Sequence, residues 1–312
     1  MKGMHARLHD LMVDHGRTLL SQIDGIRNGD AESIHDARVA TRRIRAVLSV
    51  IDGDPRVAYD AFEEQIQGLG RALGRVRDLD IIVELADLKS ADAASPAVAS
   101  LSHSIHLERH DARRKLIKLL EGTPLHALIP AATRGVRLWW AAKGDCDKKL
   151  RQGLRTQSEQ LNDAVAHATG VYFPNRVHEV RVHAKRLRYL AEVASHAGWK
   201  TDGEIKTLSR AQTLLGDLHD REVLMQRLDR ANGDDRAGLD AVVMQLATER
   251  DGLFRKYLGV RDALREAAES IHNATRSRSL NWPLMAASVA VPSALVAGFL
   301  AADRRAERRK AS

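Results

Sequence analysis

Apolar residues recur every three to four positions along most of the chain, which is the spacing of amphipathic α-helices. Runs of β-branched residues are short, and the helix-favouring residues Ala, Leu, Arg and Glu are plentiful. The pattern therefore predicts an all-α fold. The predicted helices cover residues 5–27, 31–52, 55–88, 96–121, 125–141, 145–168, 174–197, 202–229, 234–258 and 259–275.

Short segments containing glycine or proline separate these helices, and no low-complexity linker divides the chain. Such short connections suit antiparallel helices of a bundle. We expect one domain over residues 1–275, made of two halves, about 1–143 and 144–275, that pack together near residues 140–150. Residues 276–312 form a separate C-terminal segment.

Two of the predicted helices repeat one arrangement of basic residues 143 positions apart. Each copy has a histidine, an arginine three positions later, a basic residue at seven and an arginine at ten. On a helix these offsets fall within an arc of roughly 80°. We call the two rows the first and second basic rail. The first rail consists of His35, Arg38, Arg42 and Arg45, and the second of His178, Arg181, Lys185 and Arg188.

Like charges four residues apart destabilise a helix by a few tenths of a kcal/mol, as for Arg38 and Arg42. A single such row would be compatible with an ordinary solvated surface. Its repetition at the same spacing instead favours a polyanion as the partner. Arg43 and Arg186 lie beside the rails, where they could reach a second row of anions or a carboxylate at the helix edge.

A second motif is repeated at nearly the same offset. Leu73–Asp80 has the sequence LGRVRDLD, and Leu215–Glu222 has the sequence LGDLHDRE, 142 positions later. Together with the rails, these motifs resemble the conserved histidine α-helical domain (CHAD) family over roughly residues 5–270. The resemblance implies two pseudo-symmetric antiparallel helical bundles around a basic central channel. It also implies that the chain binds inorganic polyphosphate and that His35 and His178 contact phosphate.

CHAD domains are often fused to a triphosphate-tunnel domain, whose Glu-x-Glu-x-Lys motif is not found near the start of this chain, so we expect a stand-alone binder. Arginine binds phosphate through a planar fork of donors, and lysine adds a mobile charge. One rail spans roughly 15 Å, enough for several consecutive phosphates. Nearby cations could extend the track. The candidate polyphosphate-binding residues are His35, Arg38, Arg42, Arg43, Arg45, His178, Arg181, Lys185, Arg186, Arg188, Arg75, Arg77 and Arg113.

The composition adds limits to this interpretation. The net charge is +8 and the pI is about 9.8, so the placement of the charges matters more than their sum. A single cysteine, Cys146, excludes an internal disulfide and a cysteine-rich metal site. The N-terminus lacks the apolar stretch of a signal peptide. We expect a cytoplasmic protein, at polyphosphate granules or at the inner membrane surface.

Two other functions compete with polyphosphate binding. Nucleic acid would suit the charge of the rails, but Tyr189 is the one aromatic residue next to a rail, so base stacking is poorly served. A phosphohydrolase would need grouped carboxylates for Mg²⁺ or a nucleophile with its base. The sequence shows no such motif. We therefore expect a non-enzymatic protein without a cofactor or a bound metal.

The C-terminal segment contains 21 consecutive uncharged residues, 282–302, flanked by arginines on both sides. As a helix it would be roughly 31 Å long, enough to cross a bilayer. Pro292 would kink such a helix. The segment is predicted to be a hydrophobic helix that inserts into a membrane or anchors at its surface. The alternative is a helix packed on the domain or buried in an oligomer.

Overall fold

The computed structural model describes residues 3–50, 57–93, 95–143, 146–231 and 236–276, all within the unit Met1–Arg276. These residues form helices, and no strand occurs among them, so the predicted all-α fold is confirmed. The helices are α1 (Met4–Ser21), α2 (Ile23–Arg27), α3 (Ala31–Val50), α4 (Val57–Ala93), α5 (Pro96–Gly122), α6 (Leu125–Lys143), α7 (Cys146–His167), α8 (Pro174–Ala197), α9 (Asp202–Arg230) and α10 (Arg236–Arg276).

Two predicted helix boundaries were wrong. The predicted helix 5–27 is interrupted at Gln22, whose amide donates to the Leu19 carbonyl in a tightened turn between α1 and α2. The predicted break between 258 and 259 does not occur, and α10 is continuous through Gly259. A single glycine costs a helix about 1 kcal/mol, which the buried residues on both sides of it, Tyr257 and Leu264, outweigh.

The helix that carries the first rail starts at a capping residue. The carboxylate of Asp30 accepts hydrogen bonds from the backbone amide of Ser33 at 2.8 Å and from its hydroxyl at 2.6 Å. Gly25 of α2 lies so close to this turn that a Cβ atom on it would be 2.0 Å from the Ser33 hydroxyl oxygen. The second rail helix, α8, has Pro174 in its first turn and ends at Gly198, which has a φ of +104°.

The apolar faces opposite the rails are buried, as the sequence predicts. In α3 these residues are Ala37, Ala40, Ile44, Val47 and Leu48, and in α8 they are Val180, Ala184, Leu187, Ala191 and Ala194. They belong to one continuous core that also includes residues of α1, α4, α7, α9 and α10. Because this core crosses the middle of the sequence, the two halves share a hydrophobic interior. A second apolar cluster joins α4, α5, α9 and α10.

Helix α3 packs against α4, α8 packs against α9, and α3 also contacts α8. The helices that carry the repeated motifs are therefore neighbours in the fold. The pseudo-symmetry of the halves, the central channel and the division into halves stay predictions. The apolar segment 282–302 lies outside the described residues. Within the described part of the chain, no helix combines the length and apolar character needed to span a bilayer.

Candidate functional site

Cations from both rails meet where α3 contacts α8. Burial, and after it the charges of Arg42, Arg181 and Arg38, lower the pKa of Lys185 to about 7. Burial, together with Arg42 and Arg181, likewise lowers the pKa of Arg38 to about 10. Such mutual repulsion requires these side chains to be close together. We call Arg38, Arg42, Arg181 and Lys185 the four-cation cluster.

Two carboxylates of the second repeated motif lie at this cluster. Arg38 donates a hydrogen bond from Nη2 to Oδ1 of Asp78 at 2.9 Å, and the Arg38 side chain is only 14% exposed. The Nε atom of Arg38 is buried and has no hydrogen-bond partner among the described residues. Asp220 lies near Arg181, but burial raises its pKa to about 6 in spite of that arginine. Because four basic side chains face these two carboxylates, the cluster keeps an excess of positive charge at neutral pH.

Three histidines border the cluster. The rail histidines His35 and His178 are exposed, and burial of part of each ring, with the neighbouring cations, lowers their pKa below the usual 6.5. The ring of His178 lies 5.4 Å from that of His219 in α9. Burial and then Arg181 lower the pKa of His219 to about 4. These rings are therefore neutral at pH 7 and can donate one N–H each.

One carboxylate neutralises two of the predicted site residues. Glu192 of α8 accepts a hydrogen bond from Nε of Arg43 at 3.0 Å and also pairs with Arg188. The Nε atom of Arg188 donates to Oε1 of Gln212 at 2.8 Å. The sequence left two partners open for Arg43, a second row of anions or a carboxylate at the helix edge. The structure shows the contact with the carboxylate. Arg43 and Arg188 therefore contribute less charge to an external anion than Arg42, which forms no ion pair among the described residues.

Helices α3 and α8 also form a groove with α4 and α7. Its volume is about 900 Å³. We call it the lateral groove. Cations from all four helices line it, and none of the described residues that line it is acidic. These cations are Arg42, Arg45, Arg71, Lys149, Lys185 and Arg186.

The remaining predicted site residues have different surroundings. Arg75 pairs with Glu108, which also accepts a hydrogen bond from Arg227 at 2.8 Å. Arg113 donates to Asp80 at 2.8 Å. These arginines link α4, α5 and α9 through ion pairs. Arg77 instead lies near the first rail, where its charge helps to lower the pKa of His35.

Sequence reasoning missed Glu192, and it did not include Lys149, which lines the lateral groove, among the candidate site residues. A signal for Glu192 was present in the repeat. Glu192 lies four residues after Arg188 of the second rail, whereas the corresponding position after Arg45 of the first rail is Ser49. Comparing the two copies position by position shows that only one carries an acid there.

This is an all-α protein with a partly buried group of cations contributed by two repeated helices. The family model of the CHAD domain matches residues 12–229, and the chain therefore belongs to the CHAD domain family. The known property of this family is the binding of polyphosphate. No curated protein sequence matches the chain significantly.

Solved structures share the fold. The crystal structure of the CHAD domain from the plant Ricinus communis superposes with a TM-score of 0.64 at 20% sequence identity, covering 86% of this chain and 92% of that one. PptA from Streptomyces chartreusis superposes with a TM-score of 0.56 at 15% identity, covering 86% of this chain and 100% of that one. At these identities the likeness concerns the fold alone.

Proposed function

We propose that the chain binds inorganic polyphosphate at the four-cation cluster and does not process it. The observation that carries the proposal is the convergence of both rails on one place, where they lower each other's pKa values. Holding like charges together in a half-buried site is unfavourable without an anion. A polyphosphate chain would relieve the repulsion.

The proposal includes an arrangement of the two repeats. The first and second rails would be related by pseudo-symmetry and would face one channel, so that a linear polymer contacts the cluster residues of both. The contact between α3 and α8 and the shared core support this arrangement. The histidines His35 and His178 would then extend the row of phosphate donors at the start of each rail.

One structural feature favours polyphosphate over nucleic acid. Tyr189, which follows Arg188 of the second rail, is only 7% exposed, and the Arg188 guanidinium lies over its ring, 4.4 Å from the ring centroid. It therefore offers no open face on which a base could stack. Long-chain polyphosphate should displace bound duplex DNA at a far lower phosphate concentration than DNA needs to displace polyphosphate. Equal competition would overturn the preference.

The absence of catalysis is a separate part of the proposal. Asp78 holds Arg38, which fits a role in orienting a phosphate-binding arginine. Incubation of the protein with long-chain polyphosphate and Mg²⁺ or Mn²⁺ should release no orthophosphate and leave the chain-length distribution unchanged. Release that follows the protein concentration would show that the chain is an enzyme.

The binding proposal is tested by removing two cations of the cluster. Arg42→Ala combined with Lys185→Ala should weaken binding of long-chain polyphosphate by about 100-fold or more, because hydrogen bonds between charged groups contribute about 1.5–3 kcal/mol each. The matched control is Arg255→Ala with Lys256→Ala, which removes the same charge from an exposed part of α10. Equal affinities of the two folded double variants in calorimetry would overturn the proposal.

Location follows from binding. We propose that the protein collects at polyphosphate granules when the polymer accumulates. A fluorescent fusion should form foci that coincide with stained polyphosphate, and the Arg42→Ala, Lys185→Ala variant should remain dispersed. Foci that persist in this variant would show that another feature determines the location.

A further inference from the structure

The two rails are not equivalent in the fold, although they repeat in the sequence. Glu192 follows the second rail and neutralises Arg43 and Arg188, as described above. In the other copy of the repeat, Arg186 corresponds to Arg43, and Arg45 corresponds to Arg188. Both are exposed, line the lateral groove and form no ion pair among the described residues. The difference arises because Ser49 occupies the position that corresponds to Glu192.

The neighbouring helices increase this difference. The lateral groove receives Arg71 from α4 and Lys149 from α7. On the Glu192 side, α9 contributes the uncharged Gln212, and α1 contributes His15 near Arg43. Burial, Arg43 and His196 lower the pKa of His15 to about 4, so this ring is neutral at pH 7. The lateral groove thus gains cations from the neighbouring helices, whereas the Glu192 side gains neutral groups.

The lateral groove is also continuous with the four-cation cluster, because Arg42 and Lys185 belong to both. Arg45 and Ser49 follow Arg42 on the same side of α3, about one and two turns along the helix. A linear anion that is bound at the cluster therefore has a row of cations to follow in one direction. Glu192, by contrast, is a carboxylate whose positive partners, Arg43 and Arg188, are already engaged.

We propose that polyphosphate leaves the four-cation cluster on one side only, through the lateral groove, where Arg45, Arg186 and Arg71 form a second binding subsite. Glu192 closes the opposite side by holding Arg43 and Arg188. This inference rests on the proposed function and adds a direction to it. It also implies that long polymers bind more tightly than short ones, since only long polymers reach beyond the cluster.

The repeat itself supplies the test, because the acid can be placed in the other copy. Ser49→Glu puts a carboxylate one helical turn after Arg45, as Glu192 lies one turn after Arg188. Ser49 is exposed, so the change should not disturb folding. Ser49→Gln is the control for size and for loss of the hydroxyl, which donates to the Ala46 carbonyl.

With long-chain polyphosphate at 0.15 M salt, Ser49→Glu should weaken binding about tenfold or more relative to Ser49→Gln, because it neutralises one cation and repels the anion. Tripolyphosphate should bind both variants with affinities that agree within about threefold, since charges more than about 8 Å away are largely screened. Equal affinities of the two variants for the long polymer would overturn the one-sided route. An equal loss for both ligands would overturn it as well.

A second pair of variants tests the direction. Arg45→Ala with Arg186→Ala should weaken long-chain binding about tenfold or more, whereas Arg43→Gln with Arg188→Gln and Glu192→Gln should change it by less than about threefold. A larger effect of the triple variant than of the double variant would place the track on the Glu192 side. If the Arg42→Ala, Lys185→Ala variant loses binding while the groove variants have no effect, the proposed function stays intact and the groove is removed from it. No binding by the unaltered protein would instead remove the proposed function.

Discussion

The guanidinium of Arg38 and the carboxylate of Asp78 form an ion pair at 2.9 Å that connects the first basic rail to the second repeated motif. The corresponding residues in the second half, Arg181 and Asp220, are also neighbours, and the charge of Arg181 therefore acts to lower the pKa of Asp220. The two motifs therefore repeat together for a physical reason. In each half, the aspartate of the second motif lies beside the first arginine of the rail and offsets part of the repulsion within the cluster.

This ion pair should stabilise the fold. Asp78→Asn removes the carboxylate from beside an arginine that is only 14% exposed, so the free energy of unfolding should fall by about 1–2 kcal/mol. The control is Asp111→Asn, which breaks an ion pair with Arg114 whose side chains are 56% and 69% exposed. Because both of these side chains are exposed, its loss should cost much less than the loss of the Asp78 pair in urea denaturation at pH 7. Equal destabilisation by the two changes would contradict the structural role of Asp78.

Lys185 should make polyphosphate binding depend on pH. Its pKa of about 7 in the free protein should rise when an anion binds, so binding above pH 7 requires uptake of a proton. Affinity should be greatest below pH 7 and should fall by up to about tenfold per pH unit as the pH rises above that value. Ionisation of Asp220, with a pKa of about 6, acts in the same direction between pH 5 and 7.

The measurement is calorimetry at pH 8 in buffers of different ionisation enthalpy, which reports the number of protons taken up. Lys185→Arg keeps the charge but remains protonated throughout, and it should remove most of the proton uptake at pH 8. A variant that takes up as many protons as the unaltered protein would show that another group titrates.

The same lysine should lower the stability of the free protein. Its pKa is lower in the folded chain than the usual 10.5, so the unfolded state binds more protons between about pH 7 and 10.5. The penalty is complete below pH 7 and disappears as the pH rises toward 10.5. Lys185→Met should therefore raise the free energy of unfolding at pH 7 by on the order of 1 kcal/mol or more.

Thermal melts provide the check on this prediction. Lys185→Met should raise Tm at pH 7 by about 2–4 °C, and the gain should shrink as the pH approaches 10. A constant difference across this pH range would mean that packing, rather than charge, causes the effect. A lower Tm at every pH would contradict the prediction outright.

Two glycines test how closely the helices pack. A Cβ atom on Gly16 of α1 would lie 2.5 Å from Cγ2 of Ile129 in α6, and this isoleucine is only 4% exposed. Gly16→Ala should destabilise the protein by about 1–3 kcal/mol because the branched side chain has little room to move. Gly252→Ala, at a helical position with open space around it, should stabilise it by about 0.5–1 kcal/mol. Chemical denaturation of both variants checks this prediction. A Gly16→Ala variant that is more stable than the Gly252→Ala variant would contradict it.

Much of the fold could be predicted from local pattern. The 3.6-residue spacing located α3 and α8, and it assigned Ala37, Ile44 and Leu187 to buried faces because apolar side chains on one side of a helix must pack against other elements. Boundaries were less certain, since the continuation of α10 through Gly259 depends on the packing of residues on both sides of it. A local pattern contains no information about those contacts.

The sequence by itself determined the helices, the two basic rails and their repetition, because these depend on the spacing of residues along one chain. Only the tertiary structure decided which cations remain available. Glu192 reaches Arg43 across 149 positions of sequence, and Asp78 reaches Arg38 across 40. Electrostatic interactions act through space and depend on burial, so neutralisation of a charge is settled when helices pack and not by the order of the residues.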